Sequence, residues 1–209
     1  MKKVITESEI IRIAKSGLKE IQIGKEDLLT PLAIDRIKVL GIKVNRDGKS
    51  EIGRSNKGSK IVIGSDHTGV KIKKVVVDFL KSKSYHVLDI GTYSEESVDY
   101  PDIAFNVANR VVNKEFDFGI IIDATGIPSA ITANKIPGIR AATCYNEFSA
   151  KSSREHNDAN VLVLGAKAIG EETIKSIIEV WLNSNFLGDR HQRRLDKIKA
   201  IEEKYLKKN

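Results

Sequence analysis

The sequence predicts an α/β protein: a Rossmann-like three-layer α/β/α domain around a five-stranded parallel sheet, preceded by a small helical N-terminal extension. Three observations carry this expectation. From residue 61 onward, short continuous apolar runs alternate with helical patterns, as parallel strands covered on both faces do. Polar clusters containing Gly, Asp and His follow those runs, where an open parallel sheet places its ligands. Residues 45–60, NRDGKSEIGRSNKGSK, have almost no apolar content and read as a linker from the first 44 residues.

Residues 7–20 place Ile10, Ile11, Ile13, Ala14 and Leu18 near one helical face, and Ile21–Ile23 reads as a short strand. Thr30 as N-cap and Pro31 in the first turn open a second helix that ends near Gly41. A unit of ~45 residues is marginal as an independent fold, so it is expected to dock on something. After the linker, Ile61–Ile63 is the first strand and a helix runs to about Ser84. Val87–Ile90 is the second strand, followed by a helix over Tyr100–Asn113. Phe118–Ile122 is the third strand, with a helix after Pro128, and Ile139–Cys144 and Val161–Leu164 complete the set, each followed by a helix. Right-handed crossovers put helices on both faces. The expected division is residues 1–58, extension and linker, and residues 59–209, the α/β domain.

The chain has 209 residues, 41% hydrophobic and 30% charged, as globular domains do. No apolar run approaches the ~20 residues of a membrane helix. The basic opening resembles that of a signal peptide, but Glu7 and Glu9 interrupt what would be its apolar core, and the use of a single cysteine makes a reducing cytoplasm the expectation. The single cysteine, Cys144, makes no internal disulfide. The net charge of +7 invites a nucleic-acid reading until its distribution is examined. Residues 1–60 hold 14 basic and 8 acidic side chains and residues 189–209 hold 8 and 4, whereas residues 61–188 hold 13 and 16. A mildly acidic body with a basic C-terminal segment suits a small anion such as a phosphate ester better than a nucleic acid.

The polar clusters are expected at the ligand-binding ends of the strands. Gly64-Ser65-Asp66-His67-Thr68-Gly69 matches neither common phosphate-loop pattern. Asp66 reads as a helix cap or, together with His67, as an anion contact. Asp123 ends an otherwise uncharged apolar strand, the setting of a desolvated carboxylate that acts as a base, or of an N-cap. Thr125 and Gly126 offer a hydroxyl and backbone N–H groups to a developing oxyanion. His156, beside Asn157 at the entrance to the last strand, reads as functional. Arg190 and Arg194 share a helix face and can grip a phosphate. Cys144 reads as a small buried hydrophobe, and His86 and His191 have no partners at metal-ligand spacing, so neither metal nor cofactor is expected.

From about Lys60 to Tyr205 the sequence resembles the ribose-5-phosphate isomerase B family, which includes the two galactose-6-phosphate isomerase subunits. The stretches that carry the resemblance are IGSDHTGVKIK, GTYSEESVDYPDIA, ITANKIPGIRAA, SAKSSREHNDANVLVLGAKAIG and GDRHQRR. The resemblance implies a homodimer or tetramer that interconverts aldose and ketose phosphates without a metal, through a cis-enediolate, with sites at the dimer interface. It gives Asp66 and His67 contacts to the sugar and phosphate, Tyr100 a place lining the pocket and Asn134 support of the central loop. His156 would assist ring opening, Asn157 would steady the enediolate oxygens, and Arg190 and Arg194 would hold the phosphate.

The departure falls in the catalytic loop. Where the family reads C-G-T-G-I-G with the cysteine as base, this chain reads Asp123-Ala124-Thr125-Gly126-Ile127-Pro128; the glutamate of another branch is replaced by Ser129. Asp123 is then the expected base. The alternative is a sugar-phosphate-binding protein or subunit that lost the chemistry and needs a cysteine-bearing partner. The first 58 residues lie outside the family's usual chain. They resemble a segment on some bacterial microcompartment-associated proteins, which implies docking on a shell or cargo partner; the other reading is a regulatory or oligomerisation extension.

Overall fold

The computed structural model describes residues 3–18, 20–24, 26–46 and 58–206, and the chain divides into two compact units, Met1–Arg54 and Ser55–Asn209. The first unit repeats one pattern twice. Strand β1 (Val4–Ile5) leads through Thr6 into α1 (Glu7–Lys15) and then β2 (Glu20–Ile23). Strand β3 (Leu28–Leu29) leads through Thr30 into α2 (Pro31–Leu40) and then β4 (Lys43–Arg46). β1 pairs with β3 and β2 with β4, all parallel. Glu9 accepts from the Thr6 N–H, Thr30 Oγ1 accepts from the Ala33 N–H, and Gly41 closes α2 in the left-handed region at φ 61°. Ile5, Ile10, Ile21, Ile23, Ala33, Ile37, Ile42 and Val44 form its core.

This unit therefore carries more strand than its helical expectation. Asn45 and Arg46, expected in the linker, extend β4, and Lys60 opens the next strand; residues 47–57 lie outside the described residues. The apolar period of α1 reaches past Lys15, but Gly17 at φ 79° ends the helix before Leu18 can join it.

The second unit is the expected three-layer domain. Its strands are β5 (Lys60–Ser65), β6 (His86–Asp89), β7 (Phe118–Asp123), β8 (Ala141–Thr143) and β9 (Val161–Gly165). They form one parallel sheet in the order β6-β5-β7-β9-β8. Alternate residues serve opposite faces. Ile61, Ile63, Ile120, Ile122, Leu162 and Leu164 pack under α3 (Val70–Ser82), α6 (Glu147–Asn157) and α7 (Glu171–Asn183). Val62, Ile121, Val161 and Val163 pack under α4 (Tyr100–Val112) and α5 (Ile127–Ala133). A last helix, α8 (Arg190–Leu206), buries only His191 and Leu195. No helix among the described residues is long and apolar enough to cross a membrane.

Candidate active site

From β5 the chain passes through α3 to β6 on one side, then through α4 to β7 on the other side of β5. The carboxyl ends of β5 and β7 thus flank the point where the connections diverge, the crevice in which such sheets bind ligands. The Asp66 N–H donates to the Ile122 carbonyl at 3.1 Å, which holds the turns after the two strands side by side.

Each turn is closed by an aspartate. Asp66 Oδ1 accepts from the Thr68 N–H (2.9 Å), the Thr68 hydroxyl (2.6 Å) and the Gly69 N–H (3.3 Å). Asp66 Oδ2 has no partner among the described residues. Asp123 is engaged at both oxygens. Oδ1 accepts from the Thr125 N–H (2.8 Å) and the Gly126 N–H, and Oδ2 from the Ser129 N–H (3.1 Å). The Ile127 N–H goes to Thr125 Oγ1, and Pro128 has no N–H to give. The donors expected to meet a substrate oxyanion at Thr125 and Gly126 are therefore held by the chain's own carboxylate.

The other loops at this end of the sheet brace the second turn. Thr143 donates to the Gly126 carbonyl (2.7 Å) and Tyr145 to that of Thr125 (2.9 Å). The Ala166 and Lys167 N–H groups donate to the carbonyls of Asp123 and Ala124. Gly126 sits at φ 82°, a conformation suited to glycine, and a Cβ there would meet Thr143 at 2.8 Å. His67 Nδ1 accepts from the Val98 N–H (3.3 Å), which leaves the proton of the neutral ring on Nε2. Tyr100 opens α4 at the same end of the sheet and is partly exposed.

The remaining expected site residues lie at the opposite end. α6 runs from the carboxyl end of β8 back to the amino end of β9, so His156 and Asn157, at its close, sit below the sheet rather than above it. The expectation that every polar cluster falls at the ligand-binding strand ends is corrected here: a helix that crosses between parallel strands ends where the next strand begins. His156 stacks on His191, ring centroids 4.3 Å apart and planes 3° apart, with its Nδ1 3.1 Å from the Ser152 hydroxyl. Arg190 Nε donates to His191 Nε2 at 3.3 Å, and an Arg194 nitrogen lies 3.5 Å from His191 Nδ1. Burial, then His156 and the two guanidiniums, hold the His191 pKa below the ordinary histidine value. The Asn157 side chain has no partner among the described residues. Asn134 uses its amide on Ala141, bonding both backbone N–H and carbonyl at 2.8 and 2.9 Å, which fixes the start of edge strand β8 rather than the loop after β7. Since a six-residue strand such as β7 spans roughly 20 Å, one chain cannot bring Asp66 and Arg190 to the same small ligand.

The sequence matches the family described as Ribose/Galactose Isomerase over residues 61–198. The chain belongs to that family. Ribose-5-phosphate isomerase B of Escherichia coli is 44% identical over 145 residues, covering 69% of this chain and 97% of that protein. Among solved structures, ribose-5-phosphate isomerase B of Clostridium thermocellum is 51% identical with a TM-score of 0.69, covering 70% of this chain and 99% of that one. That of Mycoplasma genitalium, solved with bound ribulose 5-phosphate, is 41% identical with a TM-score of 0.67, covering 70% and 98%. The match begins at the sheet and leaves the first unit outside it.

Two side chains that sequence reasoning passes over stand beside the expected site residues. His191 has no metal-ligand spacing and draws no role from it, although it lies between the two arginines in sequence; its signal is position, since a ring one residue from Arg190 and three from Arg194 reaches both. Tyr145 follows β8 at the carboxyl end, where an exposed tyrosine is the signal. Cys144 is a buried thiol whose pKa burial pushes up, consistent with a packing role.

Proposed function

We propose that the protein interconverts an aldose phosphate and its ketose, of the ribose 5-phosphate/ribulose 5-phosphate type, by proton transfer between C1 and C2 through a cis-enediolate. The observation that carries this is the division of polar groups between the ends of one sheet. The crevice end holds Asp66, His67 and Tyr100 beside the turn that Asp123 closes, groups suited to proton transfer. The amino end holds His156, Asn157 and a pair of arginines around His191, suited to a phosphate and a ring oxygen. A second copy of the chain, placing its amino end over this crevice, completes a site that one copy cannot.

The finer expectation, Asp123 as enolising base, meets a geometric obstacle. Both of its oxygens hold backbone N–H groups, so a proton taken up there disturbs the turn. The same hydrogen bonds favour a second reading, a pocket that binds sugar phosphates with little or no turnover. Deuterium wash-in at C2, followed by NMR in D2O across four- to six-carbon aldose phosphates, separates the two. Exchange with any of them is the expected result; saturable binding without exchange selects the second reading. For residues 1–58 the proposal is a docking role toward a microcompartment shell or cargo partner, in which case deletion of residues 1–55 leaves turnover intact; loss of soluble dimer on deletion selects a structural role instead.

A further inference from the structure

We infer that Asp66, through Oδ2, is the group that moves the proton between C1 and C2, and that Asp123 is a fixed brace of the neighbouring turn. This rests on the isomerase reading above. A general base needs one oxygen that is held in place and another that is open. Asp66 meets both requirements: three donors converge on Oδ1, and Oδ2 takes no hydrogen bond from any described residue. Oδ2 is also absent from the enclosed, unpartnered side-chain atoms among the described residues, which are Ser65 Oγ, Ser129 Oγ and Arg154 Nε. Asp66 as a whole is only 7% exposed, so its surroundings are largely protein, while Oδ2 is neither hydrogen-bonded by a described residue nor fully enclosed.

Position agrees with this assignment. The Asp66 N–H bonds the Ile122 carbonyl, one residue before Asp123, so Asp66 stands beside β7 at the crevice of the sheet. Asp123 fails on the second requirement. Three N–H groups of its own loop occupy its two oxygens, and protonating it would weaken the bonds that shape Thr125 and Gly126. The Ser129 hydroxyl beside it is buried and has no hydrogen-bond partner among the described residues, so no base engages it.

In the aldose-to-ketose direction, Asp66 Oδ2 takes the C2 proton. The C2–H electron pair becomes the C1=C2 bond, and the carbonyl π pair settles on O1. The O2 proton passes to O1, the C2–O2 bond becomes the carbonyl, and Asp66 returns its proton to C1 as the C1=C2 pair re-forms a C–H bond. No proton, electron or co-reactant is consumed.

The test compares Asp66→Asn and Asp123→Asn in the full-length protein, reading C2 deuterium exchange, kcat and KM, and the urea midpoint. An asparagine in place of Asp66 keeps an oxygen at the Oδ1 position and puts a non-basic amide where Oδ2 was. The expected result is a loss of exchange and kcat of about 10³-fold in Asp66→Asn, with KM and the urea midpoint little changed. Asp123→Asn is expected to lower the urea midpoint and keep exchange within about tenfold. If Asp123→Asn does not fold, Asp123→Ser, which retains an acceptor but no base, takes its place. Preserved exchange in Asp66→Asn overturns the assignment, as does abolished exchange in a folded Asp123 variant. Absence of exchange in the unaltered protein with every sugar phosphate overturns the isomerase reading itself.

Discussion

Strands β5 and β7 lead into closely similar four-residue patterns, Asp66-His67-Thr68-Gly69 and Asp123-Ala124-Thr125-Gly126, yet the two turns are built for different work. Both aspartates receive the N–H groups two and three residues on, as a short side chain before a helical turn does. In the first turn the third donor is the Thr68 hydroxyl and it too goes to Oδ1, so one oxygen carries the structure and the other is spare. In the second turn the third donor is the Ser129 N–H and it goes to Oδ2, so no oxygen is spare. The threonines differ accordingly: Thr68 donates to its aspartate, whereas Thr125 accepts from Ile127. A repeated motif thus separates into a reactive copy and a structural copy by the destination of one hydrogen bond.

The largest effect that can break this comparison is truncation of each aspartate. Asp123→Ala leaves three N–H groups without their acceptor around a side chain that is 1% exposed. Water reaches that position poorly, so a loss of about 3 kcal/mol is expected in urea unfolding. Asp66→Ala also removes an acceptor from three donors, but Asp66 is 7% exposed against 1% for Asp123 and its Oδ2 is not fully enclosed, so water replaces the lost acceptor more easily. About 1 kcal/mol is expected, the usual cost of a lost cap. Activity should run the other way, with Asp66→Ala the more damaging to turnover. Equal stability losses would mean that the two turns are not divided as described.

The two glycines sharpen the comparison at smaller amplitude. Gly126 needs its hydrogen because φ is 82° and Thr143 Cγ2 lies 2.8 Å from a built Cβ. Gly69 has an ordinary φ of −96°, but a Cβ there would meet the Ile122 carbonyl oxygen at 2.8 Å, a backbone atom of β7. Each Gly→Ala change is expected to cost about 2 kcal/mol by urea titration. Their effects on turnover should differ. Gly69→Ala pushes the first turn away from β7 and carries Asp66 with it, whereas Gly126→Ala disturbs a brace. A larger fall in kcat for Gly126→Ala would reverse the assignment of roles.

Much of this architecture is legible in the sequence because its signals are local. The five apolar runs, Thr30 before Pro31, and Gly41 after the helix each depend on a few adjacent residues, and each appears as expected to within a residue or three. The strands of the first unit are less visible, because β1 and β3 are two residues long and acquire strand identity only by pairing with each other. Asp66 and Asp123 stand out in the sequence as polar residues that close apolar runs, but how the candidate site residues group in space does not. That His156 lies at the far end of the sheet from Asp66 follows from the direction of α6, which polarity alone does not reveal. The state of Asp123 is hidden for another reason. A carboxylate at the end of a buried strand is equally a base or a brace until the partners of both oxygens are known, and those partners are backbone groups that any sequence supplies.

The smallest of these effects concerns how the second turn is held. Besides Asp123 it is tied by the Thr143 and Tyr145 hydroxyls and by the N–H groups of Ala166 and Lys167, so the carboxyl ends of two further strands, β8 and β9, converge on one brace. Tyr145→Phe removes one of those ties, the 2.9 Å bond to the Thr125 carbonyl, and leaves the ring. Tyr145 is 41% exposed, so water can replace the lost donor, and a cost of about 0.5–1 kcal/mol is expected in urea unfolding. With Asp123 and Thr143 still closing the turn, kcat should stay within about twofold. A tenfold fall in kcat at nearly unchanged stability would show that the position of Thr125 matters to the reacting atoms, and the second turn would then belong to the chemistry as well as to the frame.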